Sequence, residues 1–147
     1  MTLIMLLSIF VKMKSKNYNL AIRISNPLHA VHLIWGGPES AGMPNTWVIY
    51  LDSHNQVIVV KLLASGKAGR AIPLRRLVEP AIIYGASRII LLNQRVSPSP
   101  VPWEKDWRDM IEIKEKLESI QIKLMDQIII GRDRFFSMAA GVIYECK

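Results

Sequence analysis

Side chains able to bind a metal or move protons near neutral pH are few here: three histidines, His29, His32 and His54, and one cysteine, Cys146. His29 and His32 stand i,i+3 on a predicted helix, which puts two imidazoles on one face, but no carboxylate or cysteine lies near them to complete a zinc set. They read as surface or partly buried histidines, and His54, in a turn, as a solvated one. Cys146 sits beside the C-terminus, so neither an internal disulfide nor a cysteine cage can form, and a reducing cytoplasm is the expected compartment. Gly66-Lys67-Ala68-Gly69 lacks the Gly-Lys-Ser/Thr ending of a phosphate loop. The segment from Asn93 to Asp106 is more informative. It combines two amides, Arg95, Trp103 and Asp106 around a loop with three prolines. An amide is a poor zinc ligand and a guanidinium cannot ligate at all, so the chemistry expected of Arg95 beside Asp106 is a charge-assisted pair. Asp106 has a plainer reading as well, since an acid in the first turn of a helix is favoured by the unpaired N–H groups there.

Charge gives a second lead. Lys and Arg outnumber Asp and Glu by 19 to 12, a formal net charge of +7, with a pI near 9.8. Lys67, Arg70, Arg75 and Arg76, with Arg88 and Arg95, crowd one stretch and are the candidate polyanion contacts; a solvated face is the plainer account. Of four tryptophans, Trp35, Trp47 and Trp107 fall on positions expected to face the core, which leaves Trp103 as the one suspected of function.

The elements that must position these residues follow from patterning. Half of the 147 residues are apolar and 21% are charged, which excludes a disordered or low-complexity chain and suits a single core. Leu20 to Ile24 reads as a short strand. Ser25-Asn26-Pro27 opens a helix running to about Trp35. Thr46 to Leu51 and Val57 to Leu63 are strands joined through Asp52 to Gln56, a hairpin. Pro73 to Tyr84 has helical spacing, ends at Gly85 and should kink at Pro80. Arg88 to Leu92 is almost wholly apolar, as a strand buried on both faces must be, and is the expected centre of the sheet. The proline loop leaves its C-terminal end, where sites of open α/β sheets lie. Trp103 to about Ser119 is an amphipathic helix expected to turn Trp107, Met110, Leu117 and Ile120 to the core, with Glu104/Arg108 and Glu112/Lys116 pairs outside. Ile122 to Ile130 is a strand, Gly131 to Arg134 a tight turn and Phe135 to Ser137 a last short strand. The order predicts a three-layer α/β domain with a mixed β-sheet flanked by helices.

Residues 1–18 form an apolar N-terminal extension to a domain over 19–147. The run from Leu3 to Val11 has no preceding Lys or Arg and no cleavage site, and is far shorter than the roughly 20 residues that span a bilayer. An interface segment, or an extension upstream of a start at Met5 or Met13, fits it better. No membrane association is expected.

From about Ile24 to Ile143 the chain resembles the RadC family, a bacterial branch of the JAB/MPN (JAMM) metallopeptidase-like domains. Val48-Ile49-Tyr50-Leu51-Asp52 with Asn55, the stretch from Arg75 through Pro80-Ala81 to Gly85-Ala86-Ser87, and Ile89-Ile90-Leu91-Leu92 each resemble a family segment. Leu124-Met125-Asp126-Gln127-Ile128-Ile129-Ile130-Gly131 resembles the family's "LLDHIIIG", and Phe136-Ser137-Met138-Ala139 its "YSFA". The resemblance implies a cytidine-deaminase-like, three-layer fold. The helix-hairpin-helix region of full-length members has no counterpart in this sequence.

The family's chemistry rests on a His-Asn-His-Pro-Ser-Gly signature, then a Ser and an Asp, with a Glu upstream. In that arrangement two imidazoles and the Asp hold zinc, the Glu takes a proton from the bound water and the Ser helps stabilise the oxyanion. Aligned without gaps, this sequence has Asn93 and Arg95 at the histidines, Trp103 at the Ser, Asp106 at the Asp and Pro44 at the Glu; Glu39 reaches that position only by a loop shift. The resemblance therefore implies a degenerate site: no metal, no catalytic residues, and Arg95 with Asp106 standing in for the ion. Metal-free JAB/MPN domains serve as scaffolds that dimerise or hold a partner, so the expected partner is an unidentified protein or a second copy. Two alternatives stand beside this: a zinc-dependent peptidase or isopeptidase using Asp106 with His29, His32 or Glu39, and, from the family's DNA repair label, a basic nucleic-acid-binding module.

Overall fold

The computed structural model describes residues 22–37, 44–65 and 72–147. Three helices, α1 (Pro27–His32), α2 (Leu74–Tyr84) and α3 (Glu104–Glu118), accompany six strands: β1 (Asn45–Leu51), β2 (Val57–Ser65), β3 (Arg88–Gln94), β4 (Lys123–Ile130), β5 (Arg134–Ser137) and β6 (Val142–Glu145). The strands form one sheet in the order β2-β1-β3-β4-β5-β6. Every neighbouring pair is antiparallel except β3 and β4. That parallel pair needs a crossover, and α3 supplies it.

Alternation along the central strands divides the core in two. Trp47, Ile49 and Leu51 of β1, Ile90 and Leu92 of β3 and Ile128 and Ile130 of β4 pack with Ala30 and Val31 of α1. Val48 and Tyr50, Ile89 and Leu91, and Leu124 pack on the opposite face with Leu77 and Ala81 of α2 and Leu117 of α3. The result is the expected three-layer α/β arrangement, with β3 apolar on both faces because both are covered. Tyr50 is wholly buried, and its Oη donates to the Leu77 carbonyl (2.7 Å), fastening α2 to the sheet. Burial pushes its phenol well above the usual value.

Local chemistry explains the turns. Asp52 Oδ1 accepts from the N–H groups of His54 (2.8 Å) and Gln56 (3.0 Å), while Asn55 takes φ 62°, a conformation asparagine tolerates. Gly85 ends α2 at φ 68°, as a left-handed helix cap requires. Pro80 is accommodated inside α2 with helix on both sides.

Several expectations change. The strand over Leu20–Ile24 reduces, among the described residues, to a single bridge between Arg23 and Gln56. The first helix stops at His32 instead of Trp35. Trp107 and Ile120 are exposed, at 36% and 46%, because α3 covers one side of the sheet with a narrow row, Met110, Ile113 and Leu117, and both residues lie beyond it. The ion pairs within α3 are Lys105–Asp109 and Glu112–Lys116; no Glu104–Arg108 pair forms. Strand β6 was not expected. Its residues are mostly exposed, so it has little of the alternation that marks a half-buried strand. The apolar run from Leu3 to Val11, and with it the 1–18 extension, lies outside the described residues. No helix among the described residues is long and apolar enough to cross a membrane.

Candidate functional site

Asn93 and Gln94 close β3, two residues beyond the predicted end of that strand. Each is pinned to β1: Thr46 Oγ1 donates to Asn93 Oδ1 (3.2 Å), and Trp47 Nε1 donates to Gln94 Oε1 (3.1 Å) in a buried pair. Alternation sends these two amides to opposite faces of the sheet. The Arg95 N–H then donates to the Ile130 carbonyl (3.0 Å), keeping the chain beside β4 for one more residue.

There the guanidinium of Arg95 turns inward. Its Nη2 donates to Asp106 Oδ2, its Nη1 donates to the Val101 carbonyl (3.1 Å), and its Cζ lies 3.9 Å from the centre of the Trp103 ring. The charged pair is largely withdrawn from water, with side-chain exposures of 10% and 15%. Asp106 Oδ2 also accepts from the Trp103 N–H (2.6 Å), so one carboxylate caps α3 and neutralises Arg95. The two readings of Asp106, helix cap and ion-pair partner, hold together. Trp103 itself is 58% exposed on its outer side, so Arg95 is sandwiched between an acid and an aromatic plate.

The proline loop is held from the other end by Gly131. The Pro98 carbonyl accepts from the Arg132 N–H (3.1 Å), and a Cβ at Gly131 would stand 2.2 Å from that same oxygen. Only a residue without a side chain lets the turn after β4 come so close.

The other sequence candidates lie elsewhere. Pro44 is half-buried just before β1. Glu39, Lys67 and Arg70 fall outside the described residues. Arg75 and Arg76 are exposed on α2, and Arg75 is spent on Glu79 at 3.4 Å. Arg88 donates to Asn55 Oδ1 (2.7 Å) in the turn of the hairpin. His29 Nδ1 accepts from the Ser25 N–H (3.1 Å) and His32 Nε2 donates to the Cys146 carbonyl (3.2 Å), so both imidazoles serve α1 and the C-terminus. Among the described residues no three of His, Cys, Asp and Glu come together. The Cys146 thiol is fully buried and pushed up to about 12, mainly by that burial.

One polar centre escaped the sequence reading. Asp126 is buried on β4, where its carboxylate accepts from the Ser137 hydroxyl and from the Ala139 N–H (2.9 Å), tying β4 to the turn that follows β5. Burial raises its pKa above the ordinary carboxylate value, against the opposing pull of these hydrogen bonds. The folded state thus holds this proton more tightly than the unfolded chain. The resulting stability is complete below the unfolded carboxylate value and is lost as pH rises through the folded one. Asp126→Asn should flatten the fall in unfolding free energy as pH rises above the ordinary carboxylate value, measured by urea titration; an unchanged slope would assign that fall to other groups.

A mixed α/β sheet with an α-helical crossover between its parallel strands, and a polar cluster at the end of β3, is the architecture of a JAB/MPN-type domain. The chain belongs to the RadC-like JAB domain family, whose model matches residues 25–143. It is 28% identical over 124 residues to a UPF0758 protein of Clostridium beijerinckii, covering 84% of this chain and 54% of the relative. A UPF0758 protein of Clostridium botulinum is 30% identical over 118 residues, covering 80% and 52%, and one of Bordetella avium is 34% identical over 92 residues, covering 62% and 41%. The chain thus spans about half the length of the curated relatives it matches.

Proposed function

We propose that this RadC-like JAB domain has exchanged the metal of its family for an internal ion pair and works as a non-hydrolytic binding module. The observation that carries this reading is the Arg95–Asp106 pair, which engages the carboxylate aligned with the family's zinc-binding Asp. The donor set around it does not fit zinc. It offers two amides already bonded to β1, a cation that repels a metal ion, and one acid engaged by that cation and by the start of α3. Trp103 adds bulk where the resemblance places a serine, and Pro44 has no proton to exchange where it places a glutamate. One positive charge with fixed hydrogen-bond geometry then stands in for the ion in holding the loop against α3.

Elemental mass spectrometry of untagged protein purified without chelators tests this. Sub-stoichiometric zinc, with an unfolding curve indifferent to chelator, is expected. About one zinc per chain, lost together with stability on chelation, would overturn the reading and favour a metallohydrolase. The double variant Asn93→His with Arg95→His should still bind zinc only weakly, because Pro44 and Trp103 remain.

A further inference from the structure

Strand β4 is unevenly covered. On one side β3 pairs with it from Lys123 to Ile130. On the other, β5 pairs only with Ile128–Ile130, and the Met138 N–H adds one bond to the Gln127 carbonyl (3.0 Å). Among the described residues, Lys123 to Asp126 has no strand on that side.

A cleft of about 540 Å³ runs along this stretch. Five consecutive residues of β4, Lys123 to Gln127, line it, as happens when the backbone edge of a strand borders a space and not one face alone. The facing wall is a single row of α3, Met110, Lys114 and Glu118, spaced i, i+4, i+8. Gln127 lines the cleft too. It is 4% exposed, and its Oε1 has no hydrogen-bond donor among the described residues. A buried acceptor left unpaired is unfavourable unless something outside the chain supplies the donor. Lys114 and Lys123 stand exposed on opposite walls, and neither takes part in an ion pair among the described residues.

We propose that this cleft takes an extended, acidic peptide segment of a partner protein as an added strand on β4. A strand edge facing a helix across a groove is the geometry in which peptides bind by sheet extension: main-chain bonds to the edge give affinity, and alternate side chains give selectivity. Here a side chain with an N–H or O–H would satisfy Gln127 Oε1, and a carboxylate would settle between Lys114 and Lys123. Glu118 disfavours an acid at its own end of the groove. The proposal is independent of the metal question, because Arg95 follows the C-terminal end of β3 and this cleft begins at the N-terminal end of its parallel neighbour.

The test uses the full chain, isotope-labelled, and a capped hexapeptide, Asp-Val-Thr-Asn-Val-Thr, followed by amide shifts and hydrogen exchange. Binding should slow exchange at those N–H groups of Leu124 to Asp126 that face away from β3, whereas the Lys123 N–H, already bonded to the Ser87 carbonyl (3.0 Å), should not change. Methylating the peptide nitrogens of alternate residues should weaken binding about tenfold for one set and leave the other set as tight as the parent, since only one edge of the peptide meets β4. Lys114→Glu with Lys123→Glu should weaken binding about tenfold with the circular dichroism spectrum unchanged. Three results would overturn the proposal. One is no response at millimolar peptide, or equal binding by both methylated sets. Another is protection, in the free protein at every concentration, of the N–H groups of Leu124 to Asp126 that face away from β3, which would mean that the chain fills the cleft itself. The third is protection that grows with protein concentration, which would make the occupant a second copy.

Discussion

Arg95→Ala will lower the unfolding free energy by about 3–5 kcal/mol, the range for removing one member of a secluded ion pair. The cost has identifiable parts. Asp106 keeps its charge with most of its side chain out of water, the Val101 carbonyl loses a donor, and the Trp103 ring loses the cation lying against it. In a chain of this size each kcal/mol is worth about 2–4 °C in Tm, so thermal and urea unfolding should both register the change. Arg95→Met combined with Asp106→Leu should recover only part of the loss: the stranded charge is gone, but the Trp103 N–H at the start of α3 and the Val101 carbonyl still lack partners. A loss below about 1 kcal/mol for the single variant would mean that solvent screens the pair, as it does at open surfaces. It would also remove the main support for an ion pair in the role of a metal.

Gly131→Ala comes second. The glycine is required for space: an added methyl would meet the Pro98 carbonyl oxygen at 2.2 Å, the Pro98 carbonyl carbon at 3.0 Å and the Pro100 nitrogen at 3.1 Å. All three are backbone atoms that cannot rotate away, so the proline loop must move as a unit, at a cost of about 2–3 kcal/mol. That movement should break the bond from the Arg132 N–H to Pro98, and hydrogen exchange at Arg132 would accelerate. It should also loosen Val101 and with it Arg95, so Gly131→Ala and Arg95→Ala together should cost less than the sum of the two. Strict additivity would show that the loop is held independently at its two ends.

The parts of the fold legible in sequence were those fixed by local rules. An apolar run with few polar residues marked β3 as central, and the Asp52 to Gln56 turn gave the first hairpin. The missed parts depend on the register of distant segments. Nothing near Asn93 or Gln94 announces that Thr46 and Trp47 stand opposite them, so both amides were read as loop. Helical spacing gave the apolar arc of α3 but not where its covered part ends, which misplaced Trp107 and Ile120. The candidate site was legible as a set of residue types, since a guanidinium and a carboxylate on two sides of a proline loop invite pairing. The stacking on Trp103 and the seclusion of the pair depend on Gly131 drawing in the loop. Asp126 is the single acid of β4 and stands among Leu124, Met125 and the isoleucines that follow Gln127, and that lone acid was the available signal for a buried carboxylate.

The sheet order has a kinetic side. At one flank β1 and β2 are joined by a short turn, and at the other β4, β5 and β6 follow one another, so both flanks can pair soon after their chain emerges. The two junctions of β3 are different: β1 reaches it only across β2 and α2, and β4 only after the proline loop and all of α3 have folded back. Closing either long excursion costs chain entropy before any native bond across it is made. The segment that shelters Arg95 is therefore also one of the two clasps that join the flanks through β3, and changes there should alter how fast the flanks meet as well as how firmly they stay together.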